Sequence, residues 1–151
     1  FLAFSLAAGG VYALNDVKDR YEDRIHPVKR NRPIASGALS VTNAKLFSLL
    51  LVALSFLLSL LLLPKGFLFI LGAYLLLNLC YSLYLQHVAI IDVVCIALGF
   101  VLRIFAGGIV AQVSVSHWLI IMTFLLAIFL ALGKRRDDLL LSANGQQVCS
   151  K

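Results

Sequence analysis

The sequence predicts an all-α fold, a polytopic bundle of transmembrane helices, on three observations. Hydrophobic residues fill 62% of the 151 positions and charged residues only 13%, against about 45–50% and about 25% in soluble domains. Mean hydropathy is +0.99, and a soluble domain of this size has too little interior to hide so much apolar surface. The apolar residues form continuous runs rather than alternating ones, which argues against a barrel of strands. Short polar turns separate the runs, so neighbours should be antiparallel helices that satisfy their own backbone groups. This composition excludes a secreted disulfide scaffold, a disordered chain and a nucleic-acid-binding domain, despite a net charge of +6. Cys80, Cys95 and Cys149 share no metal-ligand spacing, and the first two lie in apolar runs, where a small buried hydrophobe is the plain reading.

Five apolar segments are expected, over 1–14, 41–63, 67–85, 89–113 and 118–133. The first is shorter than the roughly 20 residues a span requires. It has no basic flank and no small-residue cleavage site, so it is read as the tail of a longer helix and not as a signal peptide. The chain opens on Phe1 and closes in the polar stretch 144–151, as expected of a piece of a larger protein. Residues 1–151 then form a single membrane-embedded domain, with motif loops at about 15–40 and 134–151. Pro64-Lys65-Gly66 makes a tight turn between the second and third segments.

Orientation follows from the basic residues. Lys18, Arg20, Arg24, Lys29, Arg30, Arg32, Lys45, Lys134, Arg135 and Arg136 all fall on one side, and only Lys65 on the other. The positive-inside bias places the rich side in the cytoplasm. Trp118 opens the fifth segment at the opposite interface, where indoles anchor.

The junction after the first segment holds four of the seven acids, in Asn15-Asp16-Val17-Lys18-Asp19-Arg20-Tyr21-Glu22-Asp23. Asp16, Asp19 and Asp23 are spaced i, i+3, i+7 and share one helical face. Three carboxylates on one face repel unless a cation holds them. Hard oxygens at this density suit Mg²⁺, which keeps waters and shares substrate phosphate oxygens, and Asn15 adds a neutral oxygen at the membrane edge. A solvated acidic patch is the plainer account, which helical spacing at the end of a span weakens. Pro27 should end this helix. Lys29, Arg30 and Arg32 follow at once. They are either ordinary positive-inside charge or a phosphate clamp, with Arg32 suited to a bidentate contact. Acids for Mg²⁺ beside cations for phosphate are what a diphosphate substrate needs, because both stabilise charge on a departing pyrophosphate.

These residues carry a resemblance. Asn15 to Asp23 matches NDxxDxxxD, and Asn31 to Gly37 matches NRPxxSG, two elements in the order found in the UbiA superfamily of membrane prenyltransferases. The resemblance implies that the motif lies between the second and third of nine transmembrane helices. The five segments would then be helices two to six, about half of a family member. Tyr81 to His87, Asp92, the GFxxRxxAGG run from Gly99 to Gly108, and Gly133-Lys134-Arg135-Arg136-Asp137-Asp138-Leu139 resemble the decaprenyl-phosphate phosphoribosyltransferase branch. That branch has a basic-then-acidic second junction, whereas the ordinary quinone-forming members carry a fuller aspartate-rich motif there. Gln86 stands where a Lys is common, so a phosphate contact is not carried over to it.

What the resemblance implies is Mg²⁺-dependent transfer of 5-phosphoribose from phosphoribosyl diphosphate to a polyprenyl (decaprenyl) phosphate, in the plasma membrane, with the motif loops cytoplasmic. Asp16, Asp19 and Asp23 would hold metal and diphosphate with Asn15 in support. Lys29, Arg30 and Arg32 would bind donor phosphates, and Lys134, Arg135 and Asp138 would close the site. The acceptor phosphate is already an anionic nucleophile, so no strong general base is required. His26, His87 and His117 are scattered and read as interface or hydrogen-bonding residues.

Within the membrane, Arg103 should face the bundle interior. It either bonds helix carbonyls or contacts a phosphate in a polar cavity. Asp92 lies about 16 Å away along the same helix at 1.5 Å per residue, too far for a direct pair. Tyr74, Asn78 and Tyr81 share a face and serve either interhelix packing or cavity lining, while Gly99, Gly107 and Gly108 permit close helix approach. Two other readings stay open: an aromatic prenyltransferase using a prenyl diphosphate, and a non-catalytic transporter or scaffold whose charges are topological. Self-association also stays open.

Overall fold

The protein is described by a computed structural model covering residues 1–25, 29–83 and 89–143. Five helices follow one another: α1 (Leu2–Ile25), α2 (Val41–Leu62), α3 (Lys65–Leu83), α4 (Ala89–Ala111) and α5 (His117–Ala143), with a short 3-10 turn at Lys29–Asn31 after α1. No strand occurs among the described residues. Four helices are long and apolar enough to cross a membrane, over Val41–Leu62, Lys65–Ser82, Ile90–Ala111 and His117–Arg136. At 1.5 Å per residue the 22 residues of α2 reach about 33 Å, the thickness of a hydrocarbon core. Leucines and phenylalanines point outward along α2 and α5, as they do where the solvent is lipid. The chain is a multi-pass membrane protein.

α1 is one uninterrupted rod of 24 residues, so the apolar run and the acidic motif are a single helix. The expected stop at Pro27 and the positions His26, Gln86, His87 and Cys149 lie outside the described residues. The second junction differs from expectation. A loop is predicted from residue 134, yet α5 stays helical to Ala143. Lys and Arg are good helix formers, and the renewed apolar run after Asp138 gives no stop signal.

α1 and α2 pack through small residues. Ala3 and Gly10 are buried on α1, and Ser48 and Ser55 facing them on α2, while Ala7 and Ala8 pack toward α3. A Cβ on Gly10 would lie 2.7 Å from Val52 Cγ2 and 3.0 Å from the Ser48 carbonyl oxygen, so only glycine permits this approach. Two hydroxyls cross the seam: Ser48 Oγ donates to the Gly10 carbonyl at 2.7 Å and Ser55 Oγ to the Ala3 carbonyl at 2.6 Å. Between helices in lipid, close packing and hydrogen bonds replace the hydrophobic effect.

α3 lies beside α1 in parallel. Phe4 meets Phe67 edge-on with ring centroids 6.4 Å apart and Tyr74 at 4.6 Å, and buried Leu71 joins the same core. α4 ends in a Schellman-type turn, with Val113 N–H to the Gly108 carbonyl and Gln112 N–H to Ile109. Gln112 takes the left-handed position, at φ 55°. At the other end, the loop after the 3-10 turn is pinned by Ser36 N–H to Arg32 O and Leu39 N–H to Pro33 O. Gly37 supplies a φ of 85°, which explains glycine at the end of the second motif element. Ser40 then caps α2, its side chain accepting from Asn43 N–H.

Candidate functional site

The helix that carries the acids dictates the site. Asp16 and Asp23 are two turns apart on α1, and one atom joins them. Arg32 NH1 donates to Asp16 Oδ1 at 2.8 Å and to Asp23 Oδ2 at 2.9 Å. The cation that the repelling carboxylates require is thus supplied by the chain itself, from the second motif element. Asp23 is 4% exposed, a degree of burial that a carboxylate tolerates only when paired. The loop that brings Arg32 back is held twice more: Arg24 Nε donates to the Ala35 carbonyl at 2.9 Å, and Ile34 is buried with Val17 and Ala44. Burial pushes the Asp16 carboxyl above its ordinary value. Arg32 pulls it back, and the neighbouring Asp23 and Asp19 add to the rise.

Asn15 and Asp19 are half-buried on the same helix, and Lys29 and Arg30 are exposed on the 3-10 turn. At the second junction Lys134 and Arg136 are exposed at the end of α5 and Arg135 is half-buried; the side chain of Asp138 lies outside the described residues. Arg135 turns onto Asp92, with NH1 to Oδ2 at 3.2 Å. Tyr81 donates its hydroxyl to the other oxygen, Asp92 Oδ1, at 2.7 Å. Residues of α3, α4 and α5 thereby meet at one end of the bundle. α1 and α3 are in contact, and the Asp19 carboxylate lies within electrostatic reach of the Tyr81 phenol. Tyr81 reaches Asp92 across to α4, while Asn78 Nδ2 turns back to the Tyr74 carbonyl of its own helix.

Arg103 sits deeper and faces the interior, as its cost in lipid requires. It donates to Tyr74 OH at 3.3 Å and also engages Tyr12. Its guanidinium carbon lies 5.3–5.8 Å from the ring centroids of Phe4, Tyr74 and Phe100, within cation–π range. Among the described residues no carboxylate pairs with it. Asp92 carries no assigned role in the sequence beyond its part in the resemblance and its distance from Arg103; the signal that could have found it is an acid in the first turn of an apolar helix.

Mg²⁺ usually takes one or two carboxylates and completes its shell with water and substrate phosphate oxygens. Asp16 and Asp23 fit that requirement, for they already share one cation. Among the described residues no three acidic, histidine or cysteine side chains converge on one point, so a Mg²⁺ ion held here would need further oxygens from water or substrate.

Comparison with known proteins identifies the family. The model of the UbiA prenyltransferase family matches residues 1–140. The decaprenyl-phosphate phosphoribosyltransferase of Corynebacterium glutamicum is 38% identical over 142 residues, covering 93% of this chain and 43% of the relative. The protein of that name from Mycolicibacterium smegmatis is 34% identical over 94% of this chain and 44% of its own length. That from Mycobacterium tuberculosis is 34% identical over 92% and 46%. The chain spans less than half the length of these curated relatives. With both motif elements joined through Arg32 and the family match running through α5, the chain belongs to the UbiA prenyltransferase family.

Proposed function

We propose that the whole protein is a Mg²⁺-dependent transferase that moves 5-phosphoribose from phosphoribosyl diphosphate to a polyprenyl phosphate such as decaprenyl phosphate, releasing pyrophosphate. It would act in the plasma membrane with both charged junctions on the cytoplasmic side. The observation that carries this reading is the Arg32 bridge between Asp16 and Asp23. It puts metal-type and phosphate-type residues within one hydrogen bond of each other. The names of the relatives support a phosphoribosyl group as the group transferred and a polyprenyl phosphate as the acceptor.

In the reaction an oxygen of the lipid phosphate forms a bond to the anomeric carbon of ribose. The bond from that carbon to the diphosphate oxygen breaks, and its electron pair leaves with pyrophosphate. Charge at the anomeric carbon resembles an oxocarbenium ion, as at other glycosyl centres. The lipid phosphate is anionic from the outset, so no side chain must remove a proton. Bound Mg²⁺, held by Asp16 and Asp23 with Asp19 nearby, would offset negative charge on the leaving group. Arg32 neutralises Asp16 and Asp23, and where a metal ion held by these acids supplied that charge instead, its guanidinium would be available to a donor phosphate. Lys29 and Arg30 add positive charge from the 3-10 turn, and Lys134 and Arg135 from the second junction.

A phosphoribosyl donor is small and highly charged and needs cations on both sides, whereas a prenyl donor needs a lipid-facing groove. The test is transfer of radiolabelled ribose 5-phosphate to a polyprenyl phosphate, in membranes carrying the full-length protein. Lys134→Ala is expected to raise KM for phosphoribosyl diphosphate about tenfold with little change for the lipid phosphate. Prenylation of an aromatic acid, with no transfer of ribose phosphate, would overturn this reading in favour of an aromatic prenyltransferase.

A further inference from the structure

Asp92 is half-buried at the charged end of the bundle, and both of its oxygens are engaged. Oδ1 takes the Tyr81 hydroxyl at 2.7 Å from α3, and Oδ2 takes Arg135 NH1 at 3.2 Å from α5. It lies in the first turn of α4, where the exposed amides of a helix N-terminus favour an anion. A short-range network of this kind, spanning three helices, fixes the direction of two long side chains at once. A half-exposed arginine on a helix otherwise samples many rotamers, and that freedom must be surrendered when a ligand binds. The Tyr81 phenol in turn lies within electrostatic reach of Asp19 on the acidic face of α1.

We propose that Asp92 is a positioning residue of the diphosphate site, orienting Arg135 and Tyr81 beside the acidic face of α1. The inference rests on the reading of that face as the site of a metal-bound diphosphate. It does not depend on whether the donor carries ribose or a prenyl chain. A guanidinium can serve a carboxylate with one edge and a phosphate with another, and the carboxylate decides which edge is presented. Asp92 itself need not touch substrate.

The experiment measures binding of radiolabelled pyrophosphate, in the presence of Mg²⁺, to the purified full-length protein and its variants. Asp92→Asn keeps shape and one acceptor but removes the charge. It is expected to weaken pyrophosphate binding about tenfold while the thermal unfolding midpoint shifts by only a few degrees. Arg135→Gln should weaken binding about tenfold as well. The double variant should lose about tenfold, not a hundredfold, because the two residues act as one unit. Asp92→Glu should recover part of the loss. Tyr81→Phe tests the other arm and should cost about threefold. Unaltered pyrophosphate binding in Asp92→Asn, with lowered thermal stability, would make Asp92 a structural clip and overturn the proposal. Additive losses in the double variant would overturn it too. Failure of the unmodified protein to bind pyrophosphate with Mg²⁺ would instead remove the diphosphate reading, and this inference with it.

Discussion

Arg32 decides the electrostatics of the site, because one of its nitrogens serves two carboxylates. Removing it leaves Asp23, almost wholly buried, without its partner, at a cost of about 1–3 kcal/mol. Arg32→Gln should therefore lower the unfolding midpoint of the full-length protein, and added Mg²⁺ should restore part of it by binding the folded state. Mn²⁺ binding without substrate, followed by the signal of the free ion, should be retained or tightened in this variant. Weaker Mn²⁺ binding would show that Arg32 supports the metal position instead of occupying it. Asp16 carries a second expectation. Its folded-state carboxyl binds a proton more tightly than an ordinary Asp, chiefly through burial. A raised acid means that the folded state gains from protonation. This group's contribution to stability therefore falls as pH rises from the unfolded value through the folded one, and is lowest near neutrality. Protons and metal compete for the same oxygens, so apparent metal affinity should decline, as pH is lowered, before the ordinary Asp range of about 3.9 is reached. In Asp16→Asn that early decline should vanish, along with most of the affinity. A decline confined to the ordinary range would contradict the burial argument.

At the scale of the element, the α1–α2 pair hangs on Gly10 and two serine hydroxyls. Gly10→Val would press its side chain onto Val52 and the Ser48 carbonyl, and overpacking of this kind costs about 1–3 kcal/mol. Thermal unfolding in detergent should show the loss, and Gly72→Ala, whose Cβ would meet nothing within 4 Å, is the control. Equal effects from the two would mean that the seam is looser than its hydrogen bonds indicate. The end of α4 predicts the opposite sign. Gln112 holds a left-handed conformation that costs an L-residue about 1–2 kcal/mol. Gln112→Gly should therefore be stabilising by up to about 1 kcal/mol, measured by the same unfolding assay.

For the whole molecule, the expected outcome concerns sidedness. Arg32 bridges the acids near the end of α1, and Tyr81 at the end of α3 and Arg135 on α5 meet Asp92 at the start of α4. A single cysteine introduced at Lys29 or Arg30 should react with an impermeant maleimide only after the cytoplasmic face is exposed, and one at Lys65 from the outside. Labelling in the reverse sense would invert the topology and remove the cytoplasmic substrate from consideration.

Continuous apolar runs determined by themselves that this chain is a helical bundle in a membrane, because lipid leaves a spanning backbone no other way to satisfy its amides. Local spacing likewise determined that Asp16, Asp19 and Asp23 share a face, since helical periodicity is a property of the chain alone. The approximate bounds of α2 to α4 were legible for the same reason. The end of α5 was not, because charged residues mark a membrane boundary without breaking a helix. Only the tertiary structure decided which cation meets which acid. Sequence singled out Arg32 among three cations only for a phosphate contact, and the turn around Gly37, with Ile34 buried against Val17 and Ala44, brings it to Asp16 and Asp23. Asp92 had no partner within reach along its own helix, and finds Tyr81 and Arg135 because the end of α3, the start of α4 and the basic stretch of α5 come to one place. Pairing of long side chains depends on ångström-scale placement of separate helices, and a one-dimensional pattern carries no record of that distance.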